Sequence, residues 1–203
     1  MRKLFAFVAT LFLLFSCDSE PQGNNYLKKM KKYRYQMNVT FSDKNTSPLK
    51  PEDLKDFKSL DFFPVDTIYK VKAKFKPAKN AKFMSMKTNT SEVVPYKLYG
   101  VATFKIGNKE HKLNLYQYQQ MDFTGEFEER LFLPFHDTTN GKETYEGGRY
   151  IDVKIPRGKK VVIDFNKAYN PYCVYNEKYV CPVVPAENTL EIPIYAGVKN
   201  FKK

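Results

Sequence analysis

The chain is 203 residues long, with 17 Phe, 15 Tyr, no Trp and a formal net charge of +12. That is ample apolar material for the core of one large domain or two small ones. The charge does not point to nucleic acid: only five of the 34 basic residues are Arg, the residue suited to bidentate contacts with phosphate and guanine, and the many lysines among Asn and Tyr read as compositional bias.

The first segment has the three parts of an export signal. Arg2 and Lys3 give a positive start, Leu4 to Phe15 is apolar except at Thr10, and Ser16-Cys17 closes the run. A membrane-spanning helix needs about 20 apolar residues, more than this stretch holds. Leu14-Phe15-Ser16-Cys17 resembles the bacterial lipobox, although Phe15 is bulkier than the usual occupant. In that signal the cysteine thiol receives diacylglycerol and becomes the new N-terminus, and chains such as palmitate follow. The expectation is a signal peptide over 1–16, lipid on Cys17, a tether over 17–25, and a lipoprotein of the bacterial cell envelope on the inner or outer membrane. Plain cleavage and an uncleaved anchor are the alternatives. Two or three acyl chains hold firmly where one is marginal, at about 0.8 kcal/mol per buried methylene.

Tyr26, Met30, Tyr33 and Met37 recur at helical spacing, which predicts an amphipathic helix with a packing stripe. Lys28, Lys29, Lys31, Lys32 and Arg34 follow soon after Cys17, where each charge gains on the order of 1 kcal/mol against anionic headgroups. A solvated helix face is the plainer reading. Thr46-Ser47-Pro48 turns, and Pro51, Glu52 and Asp53 open a short helix to about Phe57, with proline in the first turn and acids at its positive end.

The period then becomes two. Tyr69, Val71, Ala73 and Phe75 alternate with Lys70, Lys72, Lys74 and Lys76, a strand with one basic, solvated face. Leu98, Gly100, Ala102, Phe104 and Ile106 share one side of the next strand, Gly107-Asn108 turns, and Leu113 and Leu115 return. Leu131 to Phe135, Tyr150 to Ile155, Val161 to Phe165 and Leu190 to Tyr195 read as further strands, with turns at Asn140-Gly141 and Arg157-Gly158. Strands joined by short turns without helical crossovers predict a mainly β chain. Its closure is an antiparallel β-sandwich or partly open barrel, one domain over 26–203 with a short N-terminal helical lead-in.

The last seventy residues carry the most distinctive order: Leu131-Phe132-Leu133-Pro134-Phe135, Asp137-Thr138-Thr139, Thr144-Tyr145-Glu146-Gly147-Gly148-Arg149-Tyr150, Asp164-Phe165-Asn166-Lys167-Ala168-Tyr169-Asn170-Pro171-Tyr172-Cys173 and Cys181-Pro182. With Ser47-Pro48-Leu49 and Leu60-Asp61-Phe62-Phe63-Pro64-Val65-Asp66 upstream, this resembles the prokaryotic domain of unknown function 1684 over most of the chain after the leader. The resemblance implies a shared architecture and a shared polar patch, with no activity attached.

Two constellations carry candidate chemistry. Cys173 and Cys181 are an even pair in an exported chain and read first as a disulfide, worth about 2.5 kcal/mol on the chain-entropy model. Free thiols, and metal or catalytic use, are the rivals. His111 and His136 stand too far apart to complete a zinc set, so neither metal nor cofactor is expected. Tyr145, Arg149, Asp164, Asn166, Tyr169 and Asn170 form a candidate pocket in which a guanidinium fork, phenols and amides would hold a small polar or anionic ligand. The structural alternative pairs Asp164 with Arg149 and lets the asparagines close their own turns. Glu128, Glu129 and Arg130 read as a charged turn, and Asp66-Thr67-Ile68 and Asp137-Thr138-Thr139 loosely resemble O-glycan acceptors of some gut bacteria. No nucleophile elbow, phosphate loop or dinucleotide fingerprint occurs. The leading expectation is a ligand-binding or accessory module of the envelope, held to the membrane by its lipid. An envelope enzyme, such as a hydrolase using Asp164 and Tyr145, and a purely structural protein are the alternatives.

Overall fold

The lysine alternation builds the strand it predicts. β1 (Lys70–Pro77) exposes Lys70, Lys72, Lys74 and Lys76 and buries Val71, Ala73 and Phe75, because side chains of a strand point alternately to its two faces. The computed structural model describes residues 22–118 and 130–201; the leader, Cys17, Glu128 and Glu129 lie outside them. β2 (Phe83–Lys87), β3 (Val93–Ile106), β4 (Lys109–Tyr118), β5 (Arg130–Phe135), β6 (Arg149–Lys154) and β7 (Lys160–Asp164) complete one antiparallel sheet. Its order is β6-β5-β4-β3-β1-β7, with β2 on the first half of β3. β6 and β7 follow each other in sequence yet stand at opposite edges, so the sheet curls until residues 155–159 join them. The result is the partly open barrel among the two predicted closures, a curled antiparallel half-barrel.

Leu115, Leu131, Leu133, Phe135, Ile163 and Phe165 fill the concave side and are fully buried. The convex side carries a smaller cluster around Met86, Tyr96 and Tyr116. Leu98 belongs to the second cluster, not to the first as its spacing predicts. A bulge separates the Leu98–Tyr116 pairing from Gly100–Leu115, and one extra residue turns every side chain before it to the other face. β2 has no alternation to mark it in the sequence.

α1 (Gln22–Ser42) is longer than predicted and begins inside the expected tether. Tyr26, Met30, Met37 and Phe41 face the protein. Its contacts are also polar: the Tyr26 hydroxyl donates to Asp164 at 2.8 Å, the Tyr33 hydroxyl to the Lys167 carbonyl at 3.1 Å, and Arg34 to the Phe63 carbonyl at 2.8 Å. α2 (Pro51–Asp56) is the expected short helix. Among the described residues, no helix is long and apolar enough to cross a membrane.

The expected strand over Leu190 to Tyr195 does not form. The segment is extended but forms no ladder with the sheet: Thr189 bridges His136 just after β5, Val198 bridges Phe62, and the Thr138 amide donates to the Ile192 carbonyl. Its carbonyls at Ile194, Ala196 and Val198 go to the Arg149 guanidinium instead of a neighbouring strand. Gly197 holds this segment against the loop after β7: its φ is +78°, and a Cβ there would stand 2.7 Å from the Ala168 carbonyl oxygen. Both faults are in backbone, which cannot swing aside. Gly197→Ala is therefore expected to destabilise the protein by about 2–4 kcal/mol, read as a lower urea midpoint at unchanged slope.

Candidate functional site

Arg149 opens β6 and has no exposed surface. One terminal nitrogen donates to Asp137 Oδ2 at 2.7 Å and to the Ile194 carbonyl at 2.9 Å; the other donates to the Ala196 carbonyl at 2.5 Å and the Val198 carbonyl at 3.3 Å. The Phe135 ring lies 5.2 Å from the guanidinium carbon. Asp137 is equally enclosed, and its Oδ1 accepts from the Thr139 amide and hydroxyl and the Ile194 amide, at 2.9, 2.6 and 3.2 Å. The guanidinium fork thus grips the molecule's own C-terminal segment. Burial pulls its pKa down and Asp137 pulls it back up.

The rest of the predicted pocket divides the same way. Asp164 pairs with Tyr26 and Asn166, not with Arg149. Asn166, fully buried, exchanges two hydrogen bonds with the backbone of Asp66, at 3.0 and 2.8 Å. Asn170 donates to the Lys199 carbonyl at 3.0 Å and to the Tyr175 hydroxyl at 3.3 Å. The carbonyl of half-buried Tyr145 accepts from Asn140, closing the turn at Asn140-Gly141. Asn188, outside the predicted pocket, is a third internal bracket: it takes the Asn114 amide and donates to the Asn114 and Pro134 carbonyls.

The structure also corrects the expected disulfide. Cys173 and Cys181 are free cysteines. The tight turn at Tyr172–Val174 presents the Cys173 amide to Cys181 Sγ at 3.2 Å, and the Cys173 thiol donates to the same sulfur, so the two meet as hydrogen-bonded thiols. These donors lower the Cys181 pKa to about 7, and the shared proton raises that of Cys173. Among the described residues, no three His, Cys, Asp or Glu side chains are placed to hold a metal ion.

Of the predicted set, Tyr169 alone reaches an accessible charge. Its hydroxyl donates to Asp152 Oδ1 at 2.9 Å. Asp152 lies on the convex side of β6, 42% exposed in its side chain, with Arg130 at 4.0 Å. An unbroken row of rings leads to it: Tyr118 to Tyr96 (5.0 Å), Tyr96 to Phe132 (5.2 Å), Phe132 to Tyr150 (4.7 Å) and Tyr150 to Tyr169 (5.9 Å). The result is an open carboxylate beside a row of aromatic rings. Desolvation is the largest influence on Asp152 and raises its pKa; the Tyr169 hydroxyl and Arg130 act against it. The phenols of Tyr33, Tyr96, Tyr150 and Tyr169 are all pushed up by burial and stay protonated donors. A separate hollow between Leu60, Asp61, Val198 and Phe201 contains none of these residues and is spanned by the Lys199–Asp61 ion pair at 3.2 Å.

A carboxyl whose pKa is higher in the folded than in the unfolded chain binds its proton more readily when folded. Its contribution is favourable below the unfolded value and is lost as pH rises through the folded one. Asp152→Asn keeps an acceptor for Tyr169 and removes the charge. The variant is expected to melt higher than the parent at pH 7, with the difference shrinking toward zero below about pH 4. Thermal scans across that range check it.

The comparisons agree with this fold and add no activity. None of the curated proteins matches the chain. Of the solved structures, the solution NMR structure of an uncharacterized protein from Haloarcula marismortui is similar at 28% identity and a TM-score of 0.68, covering 88% of this chain and 96% of that one. The family described as Protein of unknown function (DUF1684) matches residues 55–199, which include the whole sheet, the Arg149–Asp137 pair and Asp152. The chain belongs to the DUF1684 family.

Proposed function

We propose that the protein is a lipid-anchored ligand-binding module of the bacterial cell envelope, and that its ligand surface is the aromatic patch around Asp152. The observation that carries this is a contrast in access: Arg149, Asn166 and Asn170 are closed by internal partners, while Asp152 remains open beside aromatic rings. The expected pocket thus moves to the convex face and keeps only Tyr169 of its core members. One open carboxylate acceptor and the partly open rings of Tyr118, Phe132 and Tyr169 suit a neutral, hydroxyl-rich ligand such as an oligosaccharide, which offers donors to Asp152 and apolar faces to the rings. The lipobox-like Leu14-Phe15-Ser16-Cys17 supports the envelope address.

An enzymatic reading rests on the same carboxylate, since a raised pKa is what a proton carrier needs. Titration of the protein with neutral oligosaccharides, followed by NMR, tests binding. Shifts confined to residues near Asp152 and Tyr169, and lost in Asp152→Ala with the fold intact, are expected. Shifts that persist in that variant would reject the site, and release of product during the same titration would make the protein an enzyme.

A further inference from the structure

α1 presents a second, outward face that the core does not use. Tyr35 and Val39 lie on it, 70% and 48% exposed. At 100° per residue they share one side of the helix, opposite Tyr26, Met30 and Met37. Lys28, Lys31 and Lys32 are exposed on the same arc and Lys29 at its border, and α1 contains no Asp or Glu.

Apolar tips ringed by lysines, with no acid among them, fit an interface. There the tips enter the boundary between headgroups and acyl chains, the lysine stems lie along it, and the ammonium groups reach phosphate. We propose that this outer face of α1 lies on an anionic phospholipid surface, with Tyr35 and Val39 at the boundary and Lys28, Lys29, Lys31 and Lys32 against the headgroups. The contact is distinct from the lipid anchor. It rests on the envelope reading only for proximity: five residues from Cys17 to the first of α1 span at most about 18 Å, so an acyl chain at Cys17 keeps the helix at the bilayer. Each lysine removed is expected to weaken the contact about fivefold.

The chain has no Trp, so Tyr35→Trp places a single indole reporter on an exposed position. The full chain carrying it, isolated from the producing cells, is mixed with vesicles of phosphatidylcholine alone or with phosphatidylglycerol, each with brominated acyl chains. The indole emission is expected to move to the blue and be quenched on the anionic vesicles alone, and to recover when Lys28, Lys29, Lys31 and Lys32 are replaced by Gln. Flotation with the neutral vesicles reads the anchor separately, so a chain that does not float there contradicts the lipidation while the indole readout still decides the helix face. Unchanged indole emission on anionic vesicles overturns the proposal. So does binding of soluble polyphosphate with no response to the vesicles, which would assign the face to an acidic polymer.

Discussion

The buried pair of Arg149 and Asp137 is the constraint on which the rest of the architecture depends. Removing two charges from water costs several kcal/mol per ion, and their attraction offsets this only when the geometry is good and most of the remaining donors and acceptors are used; at Arg149 only Nε lacks a partner. Here four donations from the two terminal nitrogens find oxygen, and Asp137 accepts from Thr139 and Ile194 as well as from Arg149. The pair therefore sits where three parts of the chain meet: the start of β6, the turn after β5 and the last extended segment. Residues 190–198 need no strand partner because the guanidinium supplies the donors that a strand would.

That closure decides where a ligand has access. With the C-terminal segment drawn in over β6, the concave side of the half-barrel is filled by Leu, Ile and Phe, and Asn166, Asn170 and Asn188 fasten the surrounding loops. Open polar chemistry is left on the convex side, where the loop carrying Tyr169 rises beside β6 at Asp152. Helix α1 fastens to the loop after β7 through Tyr26 and Asp164, which holds its outer, lysine-rich face against the same sheet. The proposed ligand surface and the candidate membrane face are thereby carried on one frame.

Much of this frame is legible in the sequence, for local reasons. Lysine alternation marks β1, and Gly107-Asn108 marks the β3–β4 hairpin, because strand period and turn chemistry need no distant partner. The bulge before Gly100 is hidden because its cause is distant: a Cβ at Gly100 would stand 2.5 Å from the Phe75 ring. Arg149 stands out as a rare arginine among lysines, but its partner does not. Asp137 reads as part of a turn or a glycan acceptor, whereas Asp164 lies in the same dense motif as the other polar residues and attracts the pairing. The hint was a carboxylate directly after an apolar strand with Thr139 two residues on, the pattern of a side chain that caps its own turn. Asp152 offers no hint, since an acid on the wet positions of an alternating strand is what any surface strand shows, and its partner Tyr169 comes from elsewhere in the chain.

The central claim is that the Arg149 guanidinium holds the fold together and binds no ligand. A double-mutant cycle in urea with Arg149→Met, Asp137→Leu and both together tests it most directly. Each single change strands a buried charge and is expected to cost about 3–5 kcal/mol, while the double variant costs clearly less than the sum because neither charge remains. Single variants as stable as the parent, or costs that simply add, would contradict the account.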